Sequence, residues 1–329
     1  MNRKLLALAP LIAASSIIRQ NKNLKITKTH LSFNNLPKEF DNFKIAQVSD
    51  IHCNKVGSSD ISFINRIKKF SPDIIVITGD ILDSYNNDMD IAYNILCQLS
   101  VISQCYFVSG NHELRLPEEY ENLKEILHKL NIINLNNSSI LLEKYSESVN
   151  LVGVEDYDYF KNEDNLNHKA NFKKTLENLN LANHFNILLS HRPEKFPMYI
   201  EANYDLIFSG HAHGGQWRIP FFGGIFSPSQ GFFPKYTSGK YIQNNSTLIV
   251  SRGLGNSSFP IRINNRIELV LVTLKRRTQK GVTQKSWFLK KQDYVESPSH
   301  SLLDILKAFI KRIKISMNHC VYEFSYELC

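Results

Sequence analysis

Asp50-Ile-His52, Asp80, Asn111-His112, His191 and His211-Ala-His213 bring two carboxylates, an amide and five imidazoles into one 329-residue chain. Such groups are costly to bury without partners, and a metal ion supplies one. In an extended segment residues i and i+2 point to the same side, so Asp50 with His52, and His211 with His213, can each converge on a small volume. Glycines at 79, 110, 210, 214 and 215 allow sharp turns beside these side chains. Mixed nitrogen and oxygen ligation, with no thiolate placed among the motifs, favours Mn, Fe or Zn over Mg or Ca. Eight candidates exceed what one ion needs. Two divalent ions ~3.5–4 Å apart, sharing one carboxylate, make a centre of the phosphoester-hydrolysing kind.

The elements that must carry these side chains are visible as short apolar runs. Residues 43–50, 73–80, 105–112, 186–191 and 204–211 are rich in Val, Ile, Leu and aromatics and read as buried strands, each ending in Asp, Asn or His. Helical patterns lie between them at 59–70, 88–99, 117–130 and 165–179. Strand and helix in alternation imply an α/β chain with crossover units and a largely buried central sheet. In such sheets ligands gather outside the carboxyl ends of the strands, where the polar residues fall. Segments 139–155, 243–252 and 262–273 have little helix between them and suggest a second sheet packed on the first.

Taken in order, D-x-H, G-D, G-N-H-E, H and G-H-A-H, spread over Lys44 to Leu274, resemble the calcineurin-like metallophosphoesterase family. The run Gly210-His-Ala-His-Gly-Gly-Gln216, with Pro220-Phe-Phe and Ser251-Arg-Gly-Leu-Gly255, is similar to a membrane-associated branch that includes UDP-2,3-diacylglucosamine pyrophosphatases of lipid A synthesis. The resemblance implies a four-layer α/β/β/α sandwich of two packed mixed sheets. It further implies that Asp50, His52 and His213 hold one metal, that Asn111, His191 and His211 hold the other, and that Asp80 bridges them. His112 would protonate the leaving group or steady the transition state. One departure is Gly79-Asp-Ile-Leu-Asp-Ser-Tyr85, which lacks the phosphate-binding arginine of the family's protein phosphatases and argues against that activity. Glu113 stands where many relatives carry Asp; it either serves the site or satisfies a nearby backbone donor.

Two such ions would activate water near neutral pH and offset charge on the phosphoryl oxygens, with His112 supplying the leaving group's proton. Arg192, Arg218 and Arg252 lie beside or downstream of the ligand loops and could hold a second phosphate bidentately. Each could equally be a structural arginine.

A hydrophobic content of 43%, 11% aromatics, 14 Gly and 11 Pro exclude a disordered chain, a collagen and a small disulfide scaffold, and the net charge is +8. Five Cys without C-x-x-C spacing point away from a zinc knuckle or a full disulfide framework. The positive balance suits a nucleic acid, an anionic membrane surface or a phosphate-bearing substrate. Most of it sits in residues 275–329, with eleven Lys or Arg against five acids, away from the motifs, so no nucleic-acid partner is expected. Leu5 to Ile18 is uncharged and mostly apolar; as a helix it would span ~21 Å, short of the ~30 Å bilayer core. It reads as an interfacial anchor or a signal. Residues 301–316 are predicted as a basic amphipathic helix with Leu302, Ile305, Leu306 and Phe309 on its apolar stripe. The loop from Trp217 to Phe233 holds six aromatics.

These three segments agree on a membrane. The expected organisation is an anchor or signal at 1–22, a metallophosphoesterase domain at 23–274 and a basic tail at 275–329. The expected function is a two-metal phosphohydrolase at the cytoplasmic face of the inner membrane, with export by the N-terminal segment left open. Its substrate would be a phosphorylated small molecule or lipid such as UDP-2,3-diacylglucosamine. The alternatives are a phosphodiesterase for soluble nucleotides and a non-catalytic scaffold of the same fold, the latter disfavoured because all eight positions are filled.

Overall fold

The computed structural model describes residues 23–53, 56, 60–85, 88–220, 222–256 and 261–277. The segment 1–22 and the helix expected at 301–316 lie outside these residues. Among them, no helix is long and apolar enough to cross a membrane.

Two six-stranded sheets form the centre. The first contains Lys25–Phe33 (β1), Lys44–Val48 (β2), Ile74–Thr78 (β3), Gln104–Val108 (β4) and Ile133–Asn134 (β5). The second begins with Ser138–Lys144 (β6), Glu147–Gly153 (β7), Asn186–Leu189 (β8) and Leu206–Ser209 (β9). Four two-residue strands follow, Arg218–Ile219 (β10), Gly223–Gly224 (β11), Phe226–Ser227 (β12) and Gly231–Phe232 (β13), paired as two small antiparallel ladders. The chain then adds Gly239–Gln243 (β14) and Ser246–Val250 (β15) to the second sheet, and returns with Glu268–Arg276 (β16) to the first. The first sheet is ordered β1-β16-β2-β3-β4-β5 and the second β14-β15-β9-β8-β7-β6. In both, the central neighbours run parallel: β2 to β5 in one, and β15, β9, β8 and β7 in the other. Antiparallel pairs complete them, making both sheets mixed.

Alternation along each strand sorts side chains between two faces. In β3, Ile74 and Val76 enter the core between the sheets, where they share a cluster with Ile45, Val108, Leu151, Ile187, Leu189 and Phe208. Ile75 and Ile77 face the other way, packing with Phe63, Ile67, Leu96 and Leu123 from the helices Asp60–Phe70, Met89–Ser100 and Pro117–Lys129. The outer face of the second sheet gives Val152, Leu188, Ile207 and Leu248 to a third cluster with Phe172, Leu176 and Tyr199. These three apolar seams separate the four layers of an α/β/β/α sandwich. A strand buried on both faces has no polar alternation, which is why β3 reads Ile-Ile-Val-Ile.

Two expectations change. The five chemistry-bearing strands do not share one sheet: β2, β3 and β4 lie in the first, β8 and β9 in the second. The 262–273 region supplies no strand to the second sheet; its strand β16 runs antiparallel to β2 and parallel to β1 inside the first. Gln47 links the sheets beneath the site, donating from Nε2 to Thr78 Oγ1 at 3.0 Å and to the Ser209 carbonyl of β9 at 2.9 Å.

Phe208 is fully buried between the sheets. Phe208→Ala should lower unfolding free energy by about 3–5 kcal/mol, read as a reduced urea midpoint with an unchanged slope.

Candidate metal centre

The carboxyl ends of β2, β3, β4, β8 and β9 open onto one region. Asp50 and His52 follow β2, Asp80 follows β3, Asn111 and His112 follow β4, His191 follows β8, and His211 and His213 follow β9. All eight are buried, none more than 4% exposed. Five of them, Asp50, His52, Asp80, His211 and His213, adopt φ between 44° and 63°. The left-handed region costs a non-glycine residue about 1–3 kcal/mol and persists only where surrounding structure enforces it. The chain therefore turns each strand end sharply inward at a stability cost.

Two groups of ligand atoms result. Asp50, His52, Asp80 and His213 bring one atom each within 4.8 Å of one another, and Asp80, His191 and His211 do the same. Asp80 belongs to both. The His52 and His213 Nε2 atoms are 3.1 Å apart, and His213 Nε2 is 3.4 Å from Asp50 Oδ1. His191 Nε2 lies 3.1 Å from Asp80 Oδ2. On its far side, His191 Nδ1 donates to the Thr78 carbonyl at 2.7 Å, which leaves Nε2 as the nitrogen that faces the cluster. Asn111 Oδ1 is a buried acceptor with no hydrogen-bond donor. The neighbouring His112 N–H donates to Asp80 Oδ1 at 2.9 Å. An acceptor oxygen with no donor, two imidazole nitrogens face to face and a carboxylate common to two groups form a donor set that fits two divalent ions.

Electrostatics favour that fit at His52, His211 and His213. Burial pushes His52 down to about 3 and holds His211 and His213 well below the usual imidazole range, which keeps their lone pairs free of protons. Burial also pushes Asp50 up to about 6, against the pull of His191. Against the same burial penalty, His191 holds Asp80 well below the ordinary carboxylate range. In return the Asp80 charge outweighs burial at His191 and raises that ring to about 10.

His112 sits at the rim of this set. The Ser84 backbone N–H donates to its Nδ1 at 3.1 Å. Because a backbone N–H can only donate, the proton of the neutral ring is on Nε2. Asp83 comes within 3.8 Å of His112 Nδ1 and 4.0 Å of His52 Nδ1, and these three form a further cluster. Asp83 was visible in the spacing Gly79-Asp-Ile-Leu-Asp83 but carries no role in the sequence reading.

Glu113 has the backbone role, extended to a whole loop. Its buried carboxylate accepts from the backbone N–H groups of Asp80, Ile81, Leu82 and Gly110 at 2.7–2.9 Å. One side chain thus fixes the turn carrying Asp80 against the turn carrying Asn111 and His112. Burial and the Asp80 charge push this carboxyl up to about 7, opposed by the Leu82 and Gly110 donors. Gly110 permits the approach, since a Cβ there would lie 2.2 Å from Asp80 Oδ1.

The three arginines differ. Arg192 is no free phosphate ligand: it is buried, and it donates from Nε and NH2 to Asp156 at 2.8 and 2.9 Å, from NH2 to Asp158 at 2.5 Å and from NH1 to Ser229 Oγ at 2.5 Å. Ser229 Oγ in turn lies 3.1 Å from His211 Nε2, so Arg192 braces the centre from outside. Arg218 is half-buried and donates to the Gly214 carbonyl and Thr237 Oγ1. Arg252 has its Nε 3.7 Å from Glu268 Oε2. A fourth guanidinium, Arg262, had no signal in the sequence. It is fully buried, donates to the Arg252 and Gly255 carbonyls at 2.7 and 2.6 Å, and lies 3.3 Å from His213 Nδ1.

Glu113→Ala would leave four buried N–H groups without their acceptor. It should cost about 4 kcal/mol or more in urea unfolding, with Glu113→Gln losing less because one carbonyl oxygen remains.

Comparison with known proteins bears on the whole arrangement. A family profile described as calcineurin-like phosphoesterase matches residues 43–215, more than half of the chain. The uncharacterized metallophosphoesterase YkoQ of Bacillus subtilis is 28% identical over 274 residues, covering 80% of this chain and 97% of its own length. An uncharacterized metallophosphoesterase of Aquifex aeolicus is 29% identical, with 77% and 92% covered. A bovine protein named transmembrane protein with metallophosphoesterase domain is 28% identical over 76% of this chain and 57% of its own. The chain belongs to the calcineurin-like phosphoesterase family and is a phosphoester hydrolase that uses two divalent metal ions.

Proposed function

We propose that the chain cleaves a phosphoester or pyrophosphate bond in a lipid-linked substrate, of which UDP-2,3-diacylglucosamine is the example its sequence suggests, at a membrane surface. The observation that carries the hydrolytic part is the sharing of Asp80 between two ligand groups. Asp50, His52 and His213 would hold one ion and Asn111, His191 and His211 the other, with Asp80 common to both and Mn, Fe or Zn the metals this donor set suits. Held there, the ions would supply a water of lowered pKa near neutral pH and offset charge on the phosphoryl oxygens. His112 is the hydrogen-bond donor to the leaving oxygen, because Ser84 leaves the ring proton on Nε2.

Arg218 and Arg252 support a substrate with a second phosphate. Burial, and then the Arg252 charge, lower the Arg218 pKa, and a second phosphate of the substrate is the anion such guanidinium groups would hold. The apolar side chains at the rim, Trp217, Phe226 and Phe232 among them, favour a lipid-linked molecule over a free nucleotide.

Metal-loaded protein offered UDP-2,3-diacylglucosamine, a soluble nucleotide diester and a phosphomonoester in parallel should turn over the first fastest. Equal rates on all three, or activity on the soluble pair alone, would remove the lipid reading and leave a general phosphodiesterase. Asp80→Ala should abolish turnover and bound metal together, the metal measured by mass spectrometry of the purified, folded variant. His112→Ala should keep its metal and lose kcat by about 10²–10⁴-fold.

A further inference from the structure

The segment between the ligands His211 and His213 and the strand β14 has a surface that hydrolysis does not use. Six apolar side chains there, Trp217, Ile219, Phe222, Phe226, Phe232 and Phe233, are each between 37% and 44% exposed. Loop aromatics commonly fold back onto their domain; these are held out by regular hydrogen bonding. Phe226 and Phe232 are directly opposed across the β12–β13 ladder, with ring centroids 5.5 Å apart. The Ile225 N–H donates to the Trp217 carbonyl at 2.7 Å, and the Phe233 N–H to the Ile225 carbonyl at 2.8 Å. Trp217 Nε1 reaches the carbonyl of Ile261, itself 41% exposed. Hydrogen bonding therefore fixes the backbone that carries these exposed side chains.

The stretch of chain that carries them is one-sided in charge. From Leu206 to Ile267 the sequence contains no Asp or Glu and six Lys or Arg. Lys235, Lys240 and Arg266 among these are exposed. The sheet-forming insert is also locked to the metal loop. Gly215 and Gly224 touch backbone to backbone, since a Cβ on Gly215 would lie 2.5 Å from the Gly224 Cα. Ser229 joins the insert to His211 and Arg192.

We propose that this insert is a membrane-docking surface, which seats its aromatic side chains in an anionic lipid bilayer and so holds the rim of the metal centre against the headgroups. Tryptophan and phenylalanine enter the headgroup and acyl boundary, while the exposed Lys235, Lys240 and Arg266 of the same stretch of chain meet anionic lipid. The inference rests on the membrane reading proposed above and on the same apolar side chains; the vesicle test below is blind to substrate, so its failure is distinct from a failure to turn over the lipid-linked molecule.

The test uses the full chain with Trp287→Phe, which leaves Trp217 as its one tryptophan. Vesicles of phosphatidylcholine with phosphatidylglycerol, carrying brominated acyl chains, should shift Trp217 emission to shorter wavelength. They should also quench it about twofold, as for a side chain ~5–10 Å deep. Raising the salt to about 0.5 M should weaken the effect. In the same chain, Phe226→Ser with Phe232→Ser should reduce co-sedimentation with these vesicles about tenfold, with thermal melting unchanged. Unaltered Trp217 emission would overturn the proposal even if the protein co-sediments, because another segment would then be doing the binding. Equal partition into pure phosphatidylcholine, or co-sedimentation untouched by the double substitution, would overturn it as well.

Discussion

Two aspartates, an asparagine and five histidines are withdrawn from water into one volume, and no arrangement of these groups alone can satisfy them all. Carboxylates repel one another, imidazoles facing each other through lone pairs gain nothing, and an amide oxygen lacks a donor. Cations resolve all three conflicts together. The rest of the molecule serves that constraint: left-handed backbone at Asp50, His52, Asp80, His211 and His213 aims the side chains, Glu113 ties two of the turns, and Arg192 with Ser229 braces a third. Stability is spent at the strand ends and recovered in the apolar seams between the layers.

Much of this was legible from residues alone, because strands buried on both faces carry unbroken apolar runs that stop abruptly at a polar ligand. The motif order then marked which strand ends face the same region. Sheet membership was not legible. Nothing in Asn186 to Leu189 or Leu206 to Ser209 distinguishes a strand of the second sheet from one of the first, since both sheets are parallel at their centres and buried on both sides. Glu268 to Arg276 lies far in sequence from β1 and β2, and its insertion between them is decided by long-range pairing.

Supporting residues were legible only where they fell inside a motif. Asp83 and Glu113 lie within three residues of a candidate ligand, so spacing could flag them. Asp156, which caps the helix Tyr157–Glu163, and Arg262, just after Pro260, also border the centre, yet nothing in their local sequence points to it. Arg192 shows the converse error. Its place beside His191 suggested a hand extended to substrate, whereas the aspartates that claim it, Asp156 and Asp158, become neighbours only when the second sheet assembles.

The division of the donors between the two sheets has a consequence for biogenesis. Asp50, His52, Asp80 and Asn111 arrive with the first sheet, His191, His211 and His213 with the second. Neither half alone offers a full coordination sphere, so a nascent or partly assembled chain competes poorly for scarce cellular metal. Metal binding thereby favours molecules whose two halves have closed on each other.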